Sequence, residues 1–144
     1  MCQMNCFSLI RNSRSFLVAS CLLLSACASD DVTQLVMCSA NNERECVVDL
    51  LEAGVDVNGH GKEGASPFYA AVYNENFALA DLLLQYGANV NGRNQGISYL
   101  TALARHEKYS GIEYLITSGY SVSEDEYERL VIEAPDALSL LPER

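Results

Sequence analysis

The chain is poor in positive charge, in histidine and in long apolar runs. Nine lysines and arginines stand against nineteen aspartates and glutamates in 144 residues. Two of the nine, Arg11 and Arg14, precede every acidic residue; after Cys27, nineteen acids face seven bases, a formal balance of −12. So acidic a surface argues against nucleic acid and against anionic lipid headgroups, both of which select basic proteins. It suits solubility and rapid encounter with a basic protein partner. The two histidines, His60 and His106, lie away from the cysteines, so neither a metal nor another cofactor is expected. No serine or cysteine is placed with a base and an orienting acid, which excludes the usual nucleophilic chemistry. Gly59, Gly61 and Gly64 around His60 imitate a phosphate cradle only superficially, because Lys62 is not in the P-loop place of a strand-turn-helix unit. No catalytic residue and no small-molecule substrate are expected. Past its N-terminal segment the chain has no apolar run of the roughly twenty residues that cross a bilayer, and its length allows one ordinary domain.

What is present begins at the N-terminus. Arg11 and Arg14 precede the apolar run Phe16 to Leu24, and the small residues Ser25-Ala26-Cys27-Ala28-Ser29 follow. A basic stretch, a short apolar stretch and a small-residue exit make a secretory leader. The segment Leu24-Ser25-Ala26-Cys27 resembles the lipobox of bacterial lipoproteins. That resemblance implies cleavage before Cys27, a diacylglyceryl group on its sulfur and a fatty acyl chain (palmitate being typical) on its new amine. One such chain binds a membrane marginally, whereas two or three hold firmly. The alternative is an ordinary signal peptide with Cys27 left as a thiol. Ala28, where an aspartate would favour inner-membrane retention, points to the outer membrane, periplasmic face; a host with a single membrane would display the chain outward. The expected layout is a signal peptide over 1–26, a lipidated tether over 27–30 and one folded domain over 31–144.

Within that domain the sequence repeats. Cys46 to Asn58, Leu79 to Asn91 and Ile112 to Val122 align, with Gly54, Gly87 and Gly119 spaced 33 and 32 apart. The opening Gly64-Ala65-Ser66-Pro67-Phe68-Tyr69-Ala70-Ala71 resembles the start of an ankyrin repeat, and Gly96-Ile97-Ser98-Tyr99-Leu100-Thr101-Ala102-Leu103 is its next copy. Thr33-Gln34-Leu35-Val36 opens the first repeat in degenerate form. The resemblance implies an all-α solenoid of about three helix-turn-helix repeats, near 31–63, 64–95 and 96–122, with short hairpin fingers and a helical cap over 123–144. The local chemistry agrees. Ser66 and Ser98 sit where a hydroxyl caps a helix, and Pro67 follows at the position where its missing donor costs nothing. Gly87 ends a helix in the left-handed conformation, and Asn58-Gly59 and Asn91-Gly92 read as tight turns into the fingers. Ser123 with Glu126 reads as a capping box, opening a helix from Glu124 to about Ala134 with Tyr127, Leu130, Val131 and Ala134 inward. Pro135 ends it, leaving room for one or two more turns.

Cys38 aligns with Ala71 and Cys46 with Leu79, at the interface of one repeat's two helices. They form either a disulfide, stable in an oxidising compartment, or a pair of buried thiols. Ankyrin proteins bind through fingers and the exposed face of the first helices. Carried onto this chain, that face comprises Met37, Ala40 and Asn41, then Ala70, Tyr73 and Asn74, then Ala102, Arg105 and His106. The finger positions are His60, Lys62 and Glu63, then Arg93, Asn94 and Gln95. Tyr73 and Arg105 lead, because tyrosine and arginine most often anchor interfaces; His60 alone would be an ordinary solvated loop residue. The function expected is binding of a protein partner at the membrane, with immunity against an envelope-acting toxin as one version. A scaffold or accessory role in envelope assembly or beside a periplasmic enzyme is the other.

Overall fold

The computed structural model describes residues 28–142; the leader and Cys27, with the lipid expected there, lie outside them. Three helical hairpins stack in chain order: α1 (Ala28–Ala40) with α2 (Arg44–Glu52), α3 (Pro67–Tyr73) with α4 (Phe77–Gln85), and α5 (Tyr99–Arg105) with α6 (Tyr109–Thr117). A seventh helix, α7 (Glu124–Glu133), and a 3-10 helix, Pro135–Leu140, close the stack. The strands are two residues each: β1 (Arg93–Asn94) pairs antiparallel with β2 (Ile97–Ser98), Arg93 opposite Ser98 and Asn94 opposite Ile97. Residues 28–30, expected as tether, form the first turn of α1, where Asp30 and Asp31 meet the positive end of the helix dipole.

Each hairpin is built by the same local devices. Ser66 and Ser98 accept hydrogen bonds from the Tyr69 and Thr101 amides at 3.1 and 3.2 Å, and Ser123 from Glu126 at 3.3 Å. These bonds satisfy amides that a helix start leaves orphaned. At the other end Gly54, Gly87 and Gly119 take φ of 88°, 90° and 92°. That turn sends the amides of Val55, Ala88 and Tyr120 back to the carbonyls of Leu50, Leu83 and Leu115, at 3.1, 3.0 and 3.0 Å. An L side chain in this conformation is strained, so glycine recurs at the repeat period. Between the paired helices Asn42, Glu75 and Glu107 carry the same positive φ without being glycine, at 61°, 61° and 55°.

The core runs the length of the stack as Leu35, Val47, Phe68, Ala71, Val72, Leu79, Leu83, Leu100, Leu103, Ile112, Leu115, Leu130 and Ala137, all buried. It is continuous because α1 packs on α3, α3 touches α6, and α5 packs on α7; one hairpin alone could not cover its own apolar face. Cys38 and Cys46 are joined by a disulfide with their Cα atoms 6.1 Å apart, tying the last turn of α1 to the first of α2.

Asparagines bind neighbouring repeats together. Asn58 donates through Nδ2 to the Gly87 carbonyl at 3.0 Å and accepts from the Asn89 amide at 2.8 Å. One repeat later Asn91 accepts from the Ser121 amide at 2.8 Å. Asn76 reaches back to the Ser39 and Ala40 carbonyls at 3.0 and 2.9 Å. The Asn-Gly turns read from the sequence are thus also a ladder between repeats.

The cap departs from expectation at two residues. Val131, expected inward, is 48% exposed, while Glu126 is 9% exposed. Glu126 does not complete a capping box on the Ser123 backbone. Its carboxylate accepts hydrogen bonds from Ser98, from Thr101 at 3.4 Å and from Tyr120 at 3.0 Å to both oxygens. The hydroxyl cluster that caps α5 therefore also seats α7, because a buried carboxylate needs several donors.

Candidate protein-interaction surface

Between the second finger and the ends of α3 and α5 lies an open depression of about 210 Å³, lined by Glu63, Ala65, Tyr69, Tyr73, Asn94, Gln95 and His106. Three separate segments meet there. Gln95 holds the fingers together by donating to the Glu63 carbonyl at 2.7 Å. The Tyr69 and Tyr73 rings lie 5.7 Å apart, and His106 stands nearly perpendicular to Tyr73 at 5.4 Å and 85°. The Lys108 ammonium lies 4.9 Å from the centroid of the Tyr73 ring. Burial pushes the Tyr69 phenol above its ordinary range, the adjacent Asn94 amide partly opposing the rise. Asn94 also buries its Oδ1 with no hydrogen-bond partner.

Of the residues singled out from the sequence, Glu63, Tyr73, Asn94, Gln95 and His106 come together in this depression; the others lie elsewhere. His60 Nε2 meets the Arg93 carbonyl at 3.1 Å, linking one finger to the next. Lys62 pairs with Asp30 at 2.7 Å, both well exposed. Asn74 folds back on the Ala70 carbonyl at 2.8 Å. Arg105, a leading candidate anchor, is clasped to Glu133 at 2.8 Å and so fastens α5 to α7. A half-exposed pair of this kind contributes about 0–1 kcal/mol. Ala70 and Ala102, expected on the exposed face, are each 6% exposed, so their short side chains are buried in the stack and not presented to a partner. Met37 is 59% exposed, on α1. Tyr69, whose ring lies at the base of this surface, was read from the sequence only as part of the repeat opening and was not singled out there as a binding residue.

Arg93 instead lines a second depression of about 280 Å³ at the joint with the cap, beside Ser98, Tyr120, Glu126 and Arg129. Here burial pushes the Tyr120 phenol up to about 12; a hydrogen bond from Ser98 opposes this, and the Glu126 carboxylate adds to it. The chemistry is that of a structural joint, since Ser98, one of the donors to Glu126, is also the cap of α5. Cys38, Glu43 and Cys46 place their ligand atoms within 4.8 Å of one another. The two sulfurs are spent on each other in the disulfide and offer no thiolate. Among the described residues no helix is long and apolar enough to cross a membrane.

Residues 35–125 match the family model "Ankyrin repeats (3 copies)". The chain belongs to the ankyrin repeat family. Among curated proteins it is 40% identical over 62 residues to the human ankyrin repeat and SOCS box protein 9, covering 43% of this chain and 21% of that protein. It is 30% identical over 88 residues to the potassium channel AKT1 of Oryza sativa subsp. indica, covering 60% of this chain and 9% of the channel. The chain thus spans about a fifth and a tenth of these relatives. Ankyrin repeats are protein-interaction modules, and the depression lies on the surface formed by fingers and first helices.

Proposed function

We propose that this ankyrin repeat chain is an envelope lipoprotein that holds a protein partner across the depression between its fingers and first helices. The observation that carries the binding reading is the convergence of Glu63, Tyr73, Asn94 and His106, drawn from two fingers and two helices, around one open aromatic floor. Such a surface pairs rigid rings with adjustable polar groups, the composition that supports protein recognition. The anchor rests on Leu24-Ser25-Ala26-Cys27 following an apolar run, with Ala28 favouring the outer membrane and the periplasmic side. The Cys38–Cys46 disulfide suits that oxidising compartment. In its most specific form the role is immunity: a small tethered repeat protein covering the active surface of an incoming toxin.

Two measurements on the full-length chain in a bacterial host test this. Metabolic labelling with palmitate should mark the wild type and not Cys27→Ser, which should also leave the membrane fraction; label retained by the variant would refute the anchor. A photoreactive phenylalanine replacing Asn74 or His106 should give one discrete protein adduct, absent when it replaces the cap residue Ile132. Equal adducts from all three positions would sink the surface assignment. If the adduct is a toxin, deleting the chain should sensitise the host; an envelope-assembly factor in the adduct would favour a scaffold.

A further inference from the structure

We propose that the depression is an anchor pocket for an arginine side chain of the protein partner. The idea rests on the protein-binding reading above and names the chemistry of the occupant. Its floor and wall are aromatic: Tyr69, Tyr73 and His106. The faces of such rings attract cations, and a planar guanidinium stacks on them better than an ammonium. Tyr73 already shows the preference, since Lys108 lies 4.9 Å from its ring centre.

The rim supplies the opposite charge. Glu63 is exposed and takes part in neither ion pair of the described residues, Lys62–Asp30 or Arg105–Glu133. Lys62 and Arg105 are turned to other carboxylates, and Glu63, which lines the depression, carries the two oxygens that a guanidinium fork matches. Asn94 adds the negative end of a carbonyl dipole, its Oδ1 buried without a donor to neutralise it. An anionic or purely apolar occupant would meet an unpaired carboxylate; a guanidinium satisfies it while covering the ring. The net charge of −10 for the chain extends the same preference outward and draws a basic partner in.

Lys108 makes the proposal more exacting, because it competes for the Tyr73 ring. The test is a titration of the isotope-labelled full-length chain in nonionic detergent with N-acetylarginine methylamide, followed by NMR, with the citrulline analogue as the neutral isostere. The arginine compound should shift signals of Glu63, Tyr73, Asn94 and His106 saturably, about tenfold more tightly than citrulline. Glu63→Gln and Tyr73→Leu should each weaken it at least about threefold, and Lys108→Gln should tighten it about twofold. Thermal melts confirm that these surface variants stay folded. Equal binding of citrulline, shifts scattered over the acidic surface, or unchanged affinity in Glu63→Gln and Tyr73→Leu would each overturn the pocket. A discrete photo-adduct at position 74 or 106 together with any of those results would refute the arginine pocket while leaving the protein-binding reading standing.

Discussion

Gly92 follows Asn91 at the mouth of the second finger, and a Cβ there would fall on the phenol ring of Tyr99. That ring is buried, stacks on Tyr69 at 5.4 Å and hydrogen-bonds to Ser66, so it has nowhere to retreat. Gly92→Ala should therefore destabilise the fold by about 1–3 kcal/mol in urea denaturation, the usual cost of overpacking a fitted core. Glu107 is the opposite case. Its φ of 55° is paid for by the helix hairpin it turns, and its side chain is exposed. Glu107→Gly should raise the denaturation midpoint, by about 1 kcal/mol of stability, because glycine adopts this conformation without the Cβ clash. A loss of stability would mean that the exposed carboxylate contributes more than the backbone strain costs.

At the scale of elements, what matters is how one hairpin is held to the next. Apolar packing supplies most of the adhesion, but it is non-directional and would tolerate sliding. The asparagine ladder supplies register: Asn58 spans to Gly87 and Asn89, and Asn91 to Ser121. Asn58→Ala removes both bonds of the first rung and should cost about 1–3 kcal/mol. Hydrogen exchange should show the loss as faster opening around Gly87 to Asn89 rather than at the cap; a uniform change would argue against a local rung. The turns themselves were legible from Asn-Gly at the repeat period. Their role between repeats was not, because a side chain's partner 29 or 31 residues away depends on how the hairpins stack.

At the scale of the whole molecule, burial of phenols couples stability to alkaline pH. Tyr69, Tyr99, Tyr114 and Tyr120 all have pKa values raised above the ordinary 10.0, chiefly by burial. For Tyr120 the value reaches about 12. A folded-state value above the unfolded one means that the folded chain holds the proton more tightly. The stability these tyrosines contribute is then complete below pH 10 and is lost as pH rises through about 12. Phenolate absorbance and helical circular dichroism should change together in that window. Ionisation of all the tyrosines near pH 10 with the helices intact would contradict the burial described here. The same packing explains why the surface is rigid enough to bind: Tyr73 and His106 are carried on α3 and the end of α5, whose buried faces reach the common core.

The sequence by itself determined the repeat and its punctuation. Serine caps, Pro67 and the glycines at 54, 87 and 119 act within a few residues of where they stand, so local physics is enough to read them. Only the tertiary structure decided which side chains share a surface. Arg105, conspicuous in the sequence, is spent on Glu133 of the cap, and Glu126 is turned from a local cap to the hydroxyls of Ser98, Thr101 and Tyr120. Val131 and Glu126 exchange their expected places because the donors that can satisfy a buried carboxylate come from the preceding repeat. Glu63, Tyr73, Asn94 and His106 converge for the same reason: stacking brings residues about one repeat apart within reach of one another, and no local rule records which of them meet.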